Sequence, residues 1–147
     1  MSHIERNALV YYSPAEMYQL VNNVDDYSNF LPWCRSSETV EQSEFEIVGR
    51  VEIARGVLNK SFMTKNALIP NQRIDIELID GPFKTLQGYW AFEPLKNANA
   101  CKVSLVLDFE FDNALMSIAA GPIFTQIANS LVDSFCKRAV EIYGERD

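Results

Sequence analysis

The sequence predicts an α+β fold: a curved antiparallel sheet of about seven strands, closed by one long C-terminal helix. Three observations carry this. Apolar and polar residues alternate in successive runs from residue 38 to residue 111, as strands with one wet face do. Two short helical patterns precede that block and one long amphipathic pattern follows it. Strands and helices segregated in this way imply α+β rather than βαβ units.

The elements follow in order. Residues 3–12 read as a strand with Ile4, Arg6, Ala8 and Val10 in one phase. Ser13-Pro14-Ala15-Glu16 is a strong helix start: a serine cap, a proline at the first position and a glutamate that completes a capping box. That helix should reach about Val24, with Met17, Leu20, Val21 and Val24 on one face. Asp25 or Asp26 can cap a short second helix through Phe30, which Pro32 ends. From Glu38 the period becomes two, with Phe45, Ile47, Val51 and Ile53 against Glu46, Arg50 and Glu52. A turn near Arg55-Gly56 leads to a strand over 58–69, and another follows over 73–80. After Gly81-Pro82, Leu86, Trp90 and Phe92 share a phase. The loop 96–100 leads to an apolar stripe of Val103, Leu105, Leu107, Phe109 and Phe111.

The C-terminal pattern is helical. Asn113 caps a turn or two through Ala120, Gly121-Pro122 interrupts, and Pro122 starts a helix that runs to Tyr143. Gly144 is the expected terminator. Phe124, Ile127, Ala128, Leu131, Phe135, Ala139 and Ile142 fall in one arc, so the helix must lie on an apolar surface. A sheet that curls beneath such a helix can leave space between them.

Composition narrows the function. A chain of 147 residues fits one domain, 1–147. A net charge of −7 disfavours nucleic-acid backbones and anionic lipid surfaces. Cys34, Cys101 and Cys136 are odd in number and lack metal-ligand spacing, so neither disulfides nor a metal site is expected. There is no apolar signal segment and no apolar run of membrane-spanning length, which makes a cytoplasmic, non-spanning protein the expectation. The lone histidine, His3, sits at the terminus. The carboxylates of Asp75/Glu77 and Asp108/Glu110 lie in the polar phase of their strands. No acid–base or nucleophile constellation stands out, and no catalytic residue or enzyme activity is expected.

Several residues are candidates for packing or for lining a cavity. The stretch "YSNFLPWC", residues 27–34, is too apolar for a surface connection, so Phe30, Leu31 and Trp33 belong to the core or to a cavity wall. Phe83 sits at a hairpin tip, either folded under the rim or gating a pocket mouth. Arg138 lies inside the apolar arc, where a cation must pair, snorkel or anchor a polar ligand group.

The stretches "YYSPAEMYQLVNNVDDYSNFLPWC", "IDGPFKTLQGYWAFEPL", "CKVSLVLDFEF" and "FCKRAVEIYG" resemble the START-like, helix-grip superfamily. Within it they are similar to the polyketide cyclase/dehydrase-like group, which holds coenzyme Q-binding proteins and ribosome association toxins. Ser28 departs from the proline usual there. The resemblance implies an apolar cavity between sheet and C-terminal helix. Its candidate walls are Phe30, Leu31, Trp33, Phe83, Trp90 and Phe109, with Phe124, Ile127, Leu131, Phe135 and Arg138 from the helix. The resemblance also implies a bound ubiquinone or other isoprenoid lipid, without catalysis, in support of respiration, and transient membrane contact. The alternative it implies is a toxin that binds the large ribosomal subunit, blocks subunit association and has a small partner protein encoded nearby.

Overall fold

A computed structural model of the chain describes residues 2–96 and 99–146; part of the 96–100 loop lies outside the described residues. In chain order the elements are β1 (Ser2–Val10), α1 (Pro14–Asn22), a 3₁₀ turn (Val24–Asp26), α2 (Tyr27–Phe30), β2 (Cys34–Gln42), β3 (Glu46–Arg55), β4 (Leu58–Ile69), β5 (Arg73–Asp80), β6 (Phe83–Pro94), β7 (Cys101–Phe111) and α3 (Ala114–Tyr143). The sheet is antiparallel throughout, in the order β1-β7-β6-β5-β4-β3-β2. Strands β2 to β7 form a meander, and β1 returns to pair with β7, Ile4 opposite Leu107. Irregularities at Cys34/Ser36, Thr39/Glu41, Met63/Thr64 and Phe83/Thr85 bend it. Gly88 permits the closest approach: a Cβ there would fall on the Val106 carbonyl and 2.9 Å from Leu107 Cα.

The inward phase is the apolar one. Ile47, Val51 and Ile53 of β3, Trp90 and Phe92 of β6, and the odd-numbered residues of β7 are buried. Phe124, Ile127, Ala128, Val132, Phe135 and Ala139 of α3 pack onto them. By length and composition α3 is apolar enough to cross a membrane; here its apolar arc covers the sheet.

Three local expectations change. The run read from Glu38 is two strands: β2 ends at Gln42, and the chain turns before β3. Phe45 therefore lies in a turn and is 60% exposed, although it shares the phase of Ile47. Gly121-Pro122 does not interrupt the last helix, which is continuous over 30 residues, about 45 Å. Proline removes the amide that would bond to the Ile118 carbonyl, and the exposure of Ile118 makes that loss tolerable, since a carbonyl on a solvent-facing turn can be hydrated. Asp26 does not cap α2 with its side chain; it is engaged elsewhere.

The N-terminal cap of α1 is tied to the end of the chain. Ser13 and Glu16 form the capping box, each side chain accepting from the other's backbone amide at 3.1 and 2.9 Å. Asn113 caps α3 through Leu115 N and Met116 N. Beyond α3, Gly144 turns the chain with φ +85°, and Arg146 donates to both carboxylate oxygens of Glu16 at 2.7 and 2.9 Å. Tyr143 donates to the Glu16 carbonyl and Tyr12 to that of Gly144. Arg146 first, and then Ser13, hold the Glu16 carboxyl down to about 2, from an ordinary value of 4.5. A depressed carboxylate stabilises the fold above its unfolded value, and that contribution is lost as pH falls from 4.5 towards 2. Glu16→Gln keeps the capping box and removes the charge. Its urea midpoint is expected to lie below wild type at neutral pH, and the two are expected to converge across this window. A gap that stays constant to the acid end would refute the pairing.

Candidate functional site

Between the concave face of the sheet and α3 lies a cavity of about 110 Å³. Its floor comes from alternate residues of adjoining strands: Val51 and Ile53 of β3, Phe62, Thr64 and Asn66 of β4, Ile74 and Ile76 of β5, Leu86 and Trp90 of β6, and Leu105 and Leu107 of β7. The roof is Phe124, Ile127, Ala128, Leu131 and Phe135, one face of α3. Val21, Val24, Tyr27 and Trp33 close the side formed by the short helices. Strand periodicity explains the floor, since residues two apart share a face. Helical periodicity explains the roof at spacings of three and four.

The wall is apolar with a few polar points. Thr64 donates its hydroxyl to Asn66 Oδ1 at 3.0 Å. The Tyr27 hydroxyl donates to the Val21 carbonyl, and burial pushes its pKa up. Trp33 is 7% exposed, and its indole Nε1 has no hydrogen-bond partner. Tyr27 is the titratable side chain of this lining.

The structure brings six of the expected residues onto this wall: Trp33, Trp90, Phe124, Ile127, Leu131 and Phe135. It places the other five outside it. Leu31 is core, 1% exposed. Phe30 lies edge-on to Phe135, 5.3 Å between ring centroids. Phe83 opens β6 rather than standing at a hairpin tip. It stacks on Phe111 at 4.7 Å and meets Phe124 at 5.0 Å, so it is a packed core residue and not a gate. Phe109 joins the same cluster, 4.7 Å from Phe124. This cluster of rings packs beside the cavity and reaches its wall through Phe124. Arg138 grips Asp26 with two hydrogen bonds, Nε to Oδ2 at 3.1 Å and Nη2 to Oδ1 at 2.9 Å. It also lies 5.1 Å from the Phe30 ring centroid and 3.5 Å from Glu141. Its guanidinium is committed to the protein and does not face the cavity. Arg6 is likewise engaged, donating to Asn129 Oδ1 at 3.0 Å. Cys34 begins β2, buried, with its thiol pKa pushed up by desolvation.

Sequence reasoning missed Thr64 and Asn66. Their signal was present: they occupy the phase of Phe62 and Leu68, so β4 carries two polar residues on an inward face.

The model of one protein family, described as polyketide cyclase / dehydrase and lipid transport, matches residues 10–136. The chain belongs to that family. The fold of this family member is the START-like helix grip. It superposes on the Zhui aromatase/cyclase of Streptomyces sp. R1128 with a TM-score of 0.82 at 15% identity, over 99% of both chains, a likeness of fold alone. It is 44% identical over 145 residues to the ribosome association toxin RatA of Vibrio cholerae, covering 99% of this chain and 100% of that one. It is 26% identical over 139 residues to the mitochondrial coenzyme Q-binding protein COQ10 homolog B of Xenopus laevis, covering 92% of this chain and 57% of that one.

Proposed function

We propose that this family member is a non-enzymatic binder that holds an isoprenoid quinone in the cavity between sheet and α3, in support of respiration. The observation that carries the reading is the wall itself: large apolar side chains from five strands and α3, two tryptophans among them, and no acid–base pair in the lining. Such a surface offers dispersion and desolvation to an apolar ring but no proton transfer for catalysis. The coenzyme Q-binding name of the Xenopus relative supports the ligand class. Small-molecule sites run from roughly 300 to 1,000 Å³, so at 110 Å³ the cavity is too small for a whole quinone as it stands. Loading a whole quinone therefore requires α3 and the sheet to part, or the tail to lie outside, where transient membrane contact delivers it. Lipid extraction and mass spectrometry of protein purified from its own cells tests this. Co-purifying quinone is the expected result; consistently empty protein that takes none from vesicles would overturn it.

A second reading is a cytoplasmic protein that binds the large ribosomal subunit and blocks subunit association. The full-length 44% identity to a protein named as a ribosome association toxin favours it. The charge of −7 opposes it, as does the pairing of Arg35, Arg50, Lys65, Arg73 and Arg146 with carboxylates. Sucrose gradients after overexpression decide: free subunits should rise relative to assembled ribosomes, and an unchanged ratio rejects the reading.

A further inference from the structure

Among the described residues, the most exposed large apolar side chains stand at the start of α3. Leu115 and Ile118 are each 76% exposed, and of residues 114–119 only Met116 is half-buried. No ionisable side chain lies between Asp112 and Asp133. A helix that only roofs a core carries charges on its outer face. This one is apolar enough to cross a membrane, yet 28% of the stretch that makes it so is buried in the protein. The β3–β4 turn adds to the same end. Val57 is 66% exposed there, and it lines one groove with Leu115 and Met116. Gly56 seats this turn on α3: a Cβ at its φ of +57° would lie 3.3 Å from Ile123 Cδ1. Arg55 precedes the turn, Lys60 lines the groove, and Lys84 stands two residues beyond Pro82 of the groove wall. All three cations are exposed, and none is in an ion pair among the described residues, unlike Arg35, Arg50, Lys65 and Arg73 of the same sheet. Asp80 and Asp112 share the groove with Lys60, so the ring around the tip is mixed rather than strongly basic.

We propose that the first two turns of α3 and the β3–β4 turn dock on a phospholipid bilayer, with Leu115, Ile118 and Val57 entering the hydrocarbon and Arg55, Lys60 and Lys84 meeting lipid phosphates. This deepens the quinone-carrier reading, which needs a membrane to load its cavity, and rests on it for its purpose. A specific protein interface takes about 20–30 residues a side; three large apolar side chains on a helix end and a hairpin turn are far fewer. A bilayer imposes no complementary shape. It accepts a few apolar side chains while neighbouring cations snorkel to the headgroups. The chain carries a net charge of −7, whereas this tip sets three cations against two carboxylates, so it is an end that a phosphate-bearing surface does not repel. Apolar insertion supplies most of the affinity, and uncharged phosphatidylcholine suffices. From Phe124 onward α3 stays on the sheet, so the contact is with one leaflet and is not a span. The docking tip and the cavity roof are then successive parts of one helix.

The test is flotation of the full chain with phosphatidylcholine vesicles that contain no quinone. The wild type is expected to float with the vesicles. The double variant Leu115→Glu/Ile118→Glu is expected to lose at least about tenfold in affinity, since two inserting side chains become charged. Leu9→Glu is the control: Leu9 is 68% exposed and pairs with Lys102, at the opposite end of β7 from α3. It is expected to bind as the wild type does. All three substitutions lie at exposed positions, and equal urea midpoints confirm the folds. An unbound wild type, an equal loss in Leu9→Glu, or a double variant that floats like the wild type overturns the docking surface. A wild-type dimer that the double variant breaks, without vesicle binding, assigns the face to a second copy and overturns it too. Because the vesicles hold no quinone, a negative result leaves the cavity reading intact; floating protein that never co-purifies with or takes up quinone does the reverse.

Discussion

Phe135→Ala is expected to destabilise the protein by about 3–5 kcal/mol, the range for a buried phenylalanine cut to alanine. Phe135 is 1% exposed and stands where three elements meet. Its ring lies edge-on to Tyr27 at 5.4 Å, to Phe30 at 5.3 Å and to Trp90 at 5.3 Å. Removing it takes one partner from each of three aromatic pairs, each worth about 0.5–1.5 kcal/mol beyond area. It also opens the cavity on the α2 side, so the remaining rings cannot close the gap without moving the helix. Phe135→Leu keeps most of the volume and is expected to cost less than half as much. Urea denaturation of both variants at constant slope checks this. A midpoint for the alanine variant close to wild type would show that α2 is not docked through this ring.

Arg138→Leu is expected to cost about 1.5–3 kcal/mol, the value of hydrogen bonds to a charged group. A fully buried pair broken on one side costs about 3–5 kcal/mol, but the Arg138 and Asp26 side chains keep 16% and 17% of their exposure, and solvent screens part of the loss. The pair joins α3 to the 3₁₀ turn across 112 residues of sequence. Asp26→Asn is expected to lower the urea midpoint similarly, and the double variant to add little to either, because both remove the same interaction. Ligand affinity is expected to stay unchanged, since Arg138 is not on the cavity wall. A loss of quinone affinity at an unaltered midpoint would instead make Arg138 an anchor for the ring.

Legibility followed local chemistry. The capping box of Ser13 and Glu16 and the stripe from Val103 to Phe111 are local patterns, and both stand in the structure where the sequence put them. The roof of the cavity was readable because α3 repeats apolar residues at three and four. Strand β2 was not, because it is an edge strand with mostly exposed residues and no apolar alternation to detect. Pro122 looked like a helix start, yet tertiary packing of Ala120 and Phe124 on the sheet holds one helix across it. The partner of Arg138 could not be read, because periodicity says which face a residue occupies and nothing about what meets it from another element. Asn66 and Thr64 were readable in principle, as polar residues in an inward phase, and were passed over because β4 carries several polar residues on both faces.

If the space between sheet and α3 is a ligand site, both tryptophans report on it, because both line it. Quenching of their fluorescence by decyl-benzoquinone therefore reads occupancy directly, with Ala128→Leu as the control that fills the roof. Ala128 is fully buried on the wall, and the added carbons occupy empty volume, so stability should change by less than about 1–3 kcal/mol. Saturable quenching is expected in the wild type, and its loss in Ala128→Leu. Linear, unsaturable quenching that is the same in both proteins would contradict a ligand site there.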